Sequence, residues 1–269
     1  MLRINKLRLL YILLAIVGFF VLAYFELTGR FQNSYIMFYA FLVVFLNYFF
    51  HRAEKNKIMN LYRIYIENLD PLGYIKEYEK YNKLRIQSKD AKTLDKINEA
   101  ILLLDAGKPE AAHEILMSLT ELEPRFRPYL RFWFYNAWFN YFDETEDTKR
   151  MRFLLEEIKK LLPQFPPKKR QKMYANYALA KAKLAVKEGK DLDSAESFFS
   201  MLVKGDFPKI TILNALYQLG IISYKKGNPE VAKRRLLAVA GNGKNLNISR
   251  KAQVFLEKMD AETAERNSQ

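Results

Sequence analysis

Residues 9–25 read LLYILLAIVGFFVLAYF, and residues 31–50 read FQNSYIMFYAFLVVFLNYFF. Neither stretch contains a charged residue, and only residues 26–30 separate the two. As helices they would be roughly 25 and 30 Å long, close to the ~30 Å hydrocarbon core of a bilayer. The sequence therefore predicts a two-helix transmembrane hairpin within residues 1–50, with spans at about 9–25 and 31–50.

Basic residues flank this pair of stretches but hardly occur between them. Arg3, Lys6 and Arg8 precede the first stretch, and three more basic residues lie within 52–57. Because lysine and arginine concentrate in cytoplasmic loops, we predict a multi-pass protein of the cell membrane whose N- and C-termini are cytoplasmic. A cleaved signal peptide is the alternative. It is disfavoured because the apolar run exceeds the usual ~7–15 residues and no small-residue cleavage site follows.

After the second stretch, residues 51–90 change to an amphipathic pattern. Apolar residues recur three or four positions apart, at Ile58, Leu61, Tyr62, Tyr65, Ile66 and Leu69. That spacing predicts one apolar helical face. Asp70 followed by Pro71 is typical of an N-cap and a first helical residue. We therefore predict amphipathic juxtamembrane helices over 51–90; whether residues 51–69 continue the second span stays open.

The residue types present argue against several kinds of chemistry. The chain has no cysteine, which excludes disulfides, thiolate zinc sites and cysteine nucleophiles. His51 and His113 are its two histidines, and neither lies in a metal-binding spacing. No nucleophile stands near a base in a recognised motif. We predict no catalytic residue, no cofactor and no metal, and hence a protein that is not an enzyme.

The charge balance is strongly basic. The chain carries 44 lysine and arginine residues against 30 aspartate and glutamate residues, a formal net charge of +14. Such a surface favours contact with anionic lipid headgroups. Nucleic acid would be attracted equally, but no nucleic-acid-binding module is recognisable. We therefore predict membrane and protein partners and no nucleic acid.

Two distant segments have nearly the same sequence, GKPEAA at residues 107–112 and GNPEVA at residues 227–232. In each, the glycine is expected to end one helix in a left-handed cap. The proline two residues later is expected to begin the next helix, and the final alanine lets the two helices approach closely. The residues concerned are Gly107, Pro109, Ala112, Gly227, Pro229 and Ala232. A third turn is predicted at Gly189, followed by a capping box at residues 193–196 and by Ala195 behind it.

These corners resemble the tetratricopeptide repeat, a pair of antiparallel helices of about 34 residues. The second corner carries the pattern best, with Leu219, Gly220 and Tyr224 before Gly227 and Ala232 after it. The resemblance implies an all-α protein with a TPR-like right-handed α-solenoid over residues 91–269. We predict helix pairs at roughly 91–124, 128–162, 171–204 and 209–241, and a C-terminal capping helix at 249–265.

An unusually aromatic segment lies between Phe126 and Phe142, where ten of seventeen residues are aromatic. One interpretation is a helix buried by helix pairs on both sides. The other is that some rings line a concave groove and anchor a peptide. On the second interpretation we predict a partner-binding face formed by first-helix residues, namely Trp133, Tyr135, Tyr177 and Tyr217.

Together these features predict a membrane-anchored scaffold or adaptor that recruits a protein or peptide partner at the cytoplasmic face of the membrane. The alternative is an accessory subunit of a membrane transport or envelope-assembly complex, in which the transmembrane hairpin is the interacting part. Replacing both spans with unrelated apolar helices would distinguish the two. The sequence does not determine the partner, the pathway, the oligomeric state or the binding face.

Overall fold

The computed structural model describes residues 3–29, 34–83 and 85–267. The described chain is helical almost throughout, so the predicted all-α class is confirmed. It divides into two compact units. The first unit comprises residues 1–63 and 76–92, and the second comprises residues 64–75 and 93–269.

The first unit contains two long helices and a small sheet. Its elements are β1 (Arg3–Asn5), α1 (Lys6–Leu27), most of α2 (Ser34–Ile66), the end of α3 (Pro71–Asn82) and β2 (Arg85–Gln87). β1 and β2 pair antiparallel, with Ile4 opposite Ile86. The prediction of helices alone over 51–90 is therefore wrong at β2. A three-residue strand forms there because a distant strand pairs with it, which no local pattern reveals.

α1 is the membrane candidate of the first unit. Within the described residues, Arg8–Leu27 is the one helical stretch whose length and apolarity suffice to cross a bilayer. The predicted second span begins at residues 31–33, which lie outside the described residues. The rest of it belongs to α2, one helix from Ser34 to Ile66. The same criterion does not select α2, so two spans are not supported among the described residues.

Side chains join α1 to α2 at three levels. The Tyr11 hydroxyl donates to the carbonyl of Val43 at 2.8 Å, and the Tyr39 hydroxyl donates to the carbonyl of Ala15 at 2.7 Å. Arg8 donates to the side chain of Asn47 at 3.0 Å. Residue numbers rise along one helix as they fall along the other, so α1 and α2 run antiparallel.

An ionic cluster links four elements of the first unit. Glu54 on α2 accepts from Arg85 at 2.9 Å and from the hydroxyl of Tyr81 at 3.2 Å. Arg8 lies 3.6 Å from the other oxygen of Glu54. The guanidinium of Arg85 also lies over the Tyr81 ring. One carboxylate thus holds two arginines that are far apart in sequence.

The second unit is a series of helix pairs followed by a last helix. Its helices are α4 (Lys89–Asp105), α5 (Pro109–Thr120), α6 (Pro128–Glu144), α7 (Thr148–Leu161), α8 (Pro167–Glu188), α9 (Leu192–Lys204), α10 (Lys209–Lys225), α11 (Pro229–Asn242) and α12 (Asn247–Asn267). From α5 onward each helix contacts the next one in the chain. α6 also contacts α8, α8 contacts α10 and α10 contacts α12, so the first members of the pairs form a row.

Gly107, Gly189 and Gly227 follow α4, α8 and α10 with φ of +72°, +69° and +78°. At each position the N–H of the next residue donates to the carbonyl five residues before it, at 2.8 to 3.0 Å. The glycine N–H donates to a carbonyl three residues back. This is the Schellman arrangement, in which a left-handed residue satisfies the last carbonyls of a helix. Pro109 and Pro229 then stand first in α5 and α11.

The predicted small residues behind these turns are all buried. Ala112, Ala195 and Ala232 belong to three separate apolar clusters, each built from one helix pair and its neighbours. A methyl side chain at these positions leaves room for the facing helix. Gly220 serves the same purpose, because a Cβ there would press on the side chain of Leu236.

The predicted capping box at residues 193–196 is wrong. α9 begins at Leu192, and the residue before it, Asp191, has a left-handed backbone and makes no side-chain cap. Asp193 therefore lies inside the first turn. It pairs instead with the ammonium group of Lys226, which also donates to Glu196 at 2.7 Å. Both carboxylates are used between helix pairs rather than at a helix end.

Candidate functional site

A cavity of about 430 Å³ lies within the second unit. α4, α6, α8, α10 and α12 supply most of its lining, and Tyr65 at the end of α2 adds to it. The lining carries acids and lysines in equal number. The acids are Asp105, Asp143, Glu144 and Glu146, and the lysines are Lys183, Lys187, Lys225 and Lys251. The row of first helices therefore presents a polar, charge-balanced inner face to this cavity.

Asp143 is the most deeply buried acid of the lining, with 6% of its surface exposed. The ammonium of Lys183 lies 3.4 Å from one of its oxygens, and that of Lys187 lies 3.6 Å from the other. Burial opposes ionisation of this carboxyl, but Lys183, Lys251 and Lys187 outweigh it and hold the pKa of Asp143 below its ordinary value. Asp143 is thus a carboxylate that binds α8 to α6.

Glu144 joins α6 to the last helix. Its two oxygens accept from the ammonium of Lys251 at 2.7 Å and from the amide of Asn247 at 2.9 Å. Burial lowers the pKa of Lys251, but Glu144 and Asp143 more than compensate, so that pKa lies above its ordinary value. A Cβ added at Gly107 would meet Arg250 and Asn247, so α12 also lies against the first turn. The last helix thereby closes over the first helix pair.

A segment of this chain lies at the inner face beside the cavity. The Tyr65 hydroxyl donates to a carboxylate oxygen of Asp105 on α4 at 2.5 Å. Burial raises the pKa of Asp105, and this hydrogen bond lowers it by less. Four residues later, Leu69 is fully buried against Ile210, Leu213 and Leu246. Residues 64–75, which we call the docked segment, therefore bridge the first and last parts of the helix series.

Gln218 is one of the polar residues that line the cavity. Gln218 on α10 is only 8% exposed, yet its carboxamide makes no hydrogen bond with any described residue. Thr211 and Asn214 line the same side of α10, at helical spacing. This face of α10 can therefore hydrogen-bond to a polar group that enters the cavity.

The four predicted partner-binding residues fall in two places. Tyr217 lines the cavity, and burial raises its pKa. Trp133, Tyr135 and Tyr177 pack instead around one apolar cluster between α6, α7 and α8. The Tyr135 hydroxyl donates to Glu123 at 2.9 Å, and burial with this contact raises the pKa of Tyr135 to about 12.

The aromatic helix α6 is buried from both sides. Phe134 packs in the cluster of α4 and α5, whereas Phe132 and Phe139 pack in the clusters shared with α7 and α8. These rings serve the packing between helix pairs. The inner face is polar instead, and no sequence motif marks its carboxylates. Asp147 does cap α7 through the Arg150 N–H at 3.0 Å, but Asp143 belongs to the cavity.

Among the residues that the structure describes, no group of three histidine, aspartate or glutamate side chains is arranged to hold a metal ion. No family model, no curated protein and no solved structure matches the chain. The resemblance to the tetratricopeptide repeat therefore rests on the residues of the Gly107 and Gly227 corners, and the chain is assigned to no family.

Proposed function

We propose that this chain is a membrane-anchored adaptor in which a TPR-like right-handed α-solenoid binds a segment of a partner protein. The observation that carries the proposal is the docked segment. A stretch of chain lies against the row of first helices, with a leucine in an apolar socket and a tyrosine bonded to an acid. Peptide recognition by helical repeats uses the same elements: a few anchoring side chains and a polar surround.

The proposed anchor is a hairpin of α1 and α2 that crosses the membrane twice and leaves both termini in the cytoplasm. Support comes from the apolar helix Arg8–Leu27 and from the antiparallel side-chain contacts between α1 and α2. The positive charges outside the two stretches favour this orientation. A reporter fused after Gln269 that is active only outside the cytoplasm would contradict it.

Anchoring adds to the function by raising local concentration. A partner already at the membrane meets the adaptor as if at about millimolar concentration. The basic surface, with a formal charge of +14, adds attraction to anionic lipid or to an acidic partner. Under this proposal the chain performs no catalysis; it brings a partner to the bilayer.

The test is site-specific photocrosslinking in native membranes. A photoreactive residue replaces Thr211, which lines the cavity, or Phe153, which lies exposed on α7. We expect discrete crosslinked species from position 211 and none of the same size from position 153. Equal crosslinking at both positions, or none at position 211 with folded protein, would overturn the adaptor proposal.

A further inference from the structure

The docked segment lies on the face that the proposed function assigns to a partner. The chain on either side of residues 64–75 belongs to the first unit, but these residues belong to the second. A partner segment would meet a face that is already occupied. The docked segment therefore indicates both what this face recognises and how its access is controlled.

We infer that the inner face of the second unit is a groove for a linear segment carrying a tyrosine and a leucine four residues apart, with residues 64–75 as a resident occupant that a partner segment of the same chemistry displaces. The inference rests on the proposed function only in assigning that second occupant to a partner. The groove and its resident occupant are defined by contacts within this chain.

The leucine end of the groove is an apolar socket. Leu69 is 0% exposed and packs against Ile210 and Leu213 of α10 and against Leu246, just before α12. Those three residues come from parts of the chain that follow Leu69 by more than a hundred positions. Burial of one leucine between several apolar side chains is the kind of anchor that dominates peptide affinity.

The tyrosine end of the groove is polar. Tyr65 lies in the last turn of α2, four residues before Leu69, and the side chains of both residues contact helices of the second unit. Its hydroxyl bonds to Asp105, and its ring lies 6.1 Å from that of Tyr74. A tyrosine can fill this end because its ring is apolar and its hydroxyl reaches a buried acid. Phenylalanine would leave that acid without its donor.

The docked segment is also strained, which makes it displaceable. Leu69 has φ of +58°, a left-handed conformation that a leucine seldom adopts. Asp70 stabilises the bend by accepting from the N–H of Gly73 at 3.0 Å. A free segment would bring the tyrosine and leucine into the groove without a chain connection that forces this bend. The strain thus lowers the affinity of the resident occupant relative to an unstrained competitor.

The chain has no cysteine, so an introduced cysteine is the one thiol that a maleimide can label. Leu69→Cys places a thiol in the socket, and Leu72→Cys, where the leucine is 39% exposed, is the matched control three residues away. Both variants are made in the full chain in detergent micelles and treated with a maleimide. We expect Leu69→Cys to react at least about tenfold more slowly, because labelling requires local opening.

The probe is a synthetic peptide of residues 64–75, IYIENLDPLGYI, added to each variant. Saturating peptide is expected to speed labelling of Leu69→Cys by about tenfold and to leave Leu72→Cys unchanged, since only the former depends on opening. The same peptide with Leu69→Asp should have no effect. Unchanged labelling of Leu69→Cys with the first peptide, or fast labelling without peptide, would overturn the inference.

Hydrogen exchange of the wild-type chain repeats the test without a substitution. The N–H groups of Asp70 and Gly73 are bonded within the docked segment, to Ile64 and to Asp70 respectively. Peptide should speed their exchange, whereas Leu213→Asp in the socket should speed it without peptide. No response in either case contradicts the groove. If exchange responds as expected but photocrosslinking in membranes finds no partner, the groove stands and only the adaptor function is contradicted.

Discussion

The Gly107 and Gly227 corners have nearly the same sequence and the same local geometry but different surroundings. Their glycines have φ of +72° and +78°, and the residues five and nine positions later are fully buried in both. A Cβ at Gly107 would collide with side chains of α12, whereas a Cβ at Gly227 would meet nothing within 4 Å. Local sequence makes the turn; the closure of the helix series over its own beginning makes one turn internal and leaves the other open.

The residues two positions before each glycine sharpen the comparison. Asp105 and Lys225 both line the cavity in the same register, but with opposite charge. Asp105 accepts from Tyr65 of the docked segment, whereas Lys225 donates to the carbonyls of Val186 and Lys187 at 2.7 and 3.1 Å. Equivalent positions of the repeated pattern have thus acquired different partners.

The largest effect is expected where the two corners are alike. Leu116 and Leu236, each nine residues after its glycine, are fully buried. Leu116→Ala and Leu236→Ala should each lower the free energy of unfolding by about 2–5 kcal/mol, through lost burial and a residual cavity. Urea titration measures both. If only one of the two losses in the free energy of unfolding falls within about 2–5 kcal/mol, the helix pairs that contain Leu116 and Leu236 are packed differently.

The next effect should separate the corners. Gly227→Ala should cost about 1 kcal/mol, because alanine is strained in the left-handed region. Gly107→Ala should cost about 2–3 kcal/mol, since Arg250 and Asn247 must also move. Gly241→Ala, in α11 with open space and no left-handed φ, is the control and should be neutral or stabilising. Equal costs at Gly107 and Gly227 would argue against closure by α12.

A smaller effect should come from the ion pairs over each corner. Glu144→Gln weakens the partly buried contact with Lys251 and should cost about 1 kcal/mol. Asp260→Asn removes the exposed contact with Lys233 beyond the Gly227 corner, at 2.8 Å, and should cost close to zero, as surface pairs do. Thermal melts at low and high salt measure both. If Asp260→Asn lowers the free energy of unfolding as much as Glu144→Gln does, the ion pairs at the two corners do not differ in the way proposed.

The smallest effect concerns pH. Because the folded-state pKa of Asp105 is raised, its contribution to stability falls as pH rises from the ordinary aspartate pKa through the raised one. The pKa of Lys225 is lowered by partial burial and by Lys187, so its contribution rises as pH rises through that lowered value toward the ordinary lysine pKa. Asp105→Asn should therefore alter the acid side of the stability profile, and Lys225→Gln the alkaline side.

Denaturation midpoints across pH check this pair of variants. Asp143→Asn is the control of opposite sign, because the pKa of Asp143 is lowered and its stabilisation is lost as pH falls through that pKa. Asp105→Asn should gain stability at neutral pH where Asp143→Asn loses it. If both substitutions change the stability at neutral pH in the same direction, the carboxyl groups of Asp105 and Asp143 are not in the opposite environments described.

Much of the fold could be predicted because its signals are local. Glycine and proline mark helix ends wherever they occur, so the bounds of α6, α10 and α11 agree closely with the predicted pairs. α8 begins at Pro167, before the predicted residue 171. The reason is that proline is favoured at the first position of a helix, so Pro167 belongs to the helix and not to the loop before it. The predicted capping box is wrong for a related reason: α9 begins at Leu192, directly after Asp191, whose backbone is left-handed.

The candidate site was harder to predict, since its residues are scattered over the chain. The aromatic composition of α6 predicts Trp133 and Tyr135 as partner-binding residues, but both rings pack in the apolar clusters on either side of this helix. Asp105, Asp143 and Lys251 carry no motif. They become a cluster only when α12 contacts α6, and only long-range geometry places them together.

The sequence by itself determined the helices, their turns, the apolar α1 and the absence of cysteine chemistry, because spacing, glycine, proline and composition act within a few residues. Tertiary structure alone decided that the inner face is polar, closed by the last helix and occupied by residues 64–75. The physical reason is that these contacts join residues as far apart in the chain as Leu69 and Leu246, and the free energy of such contacts depends on burial and pairing that no local pattern encodes.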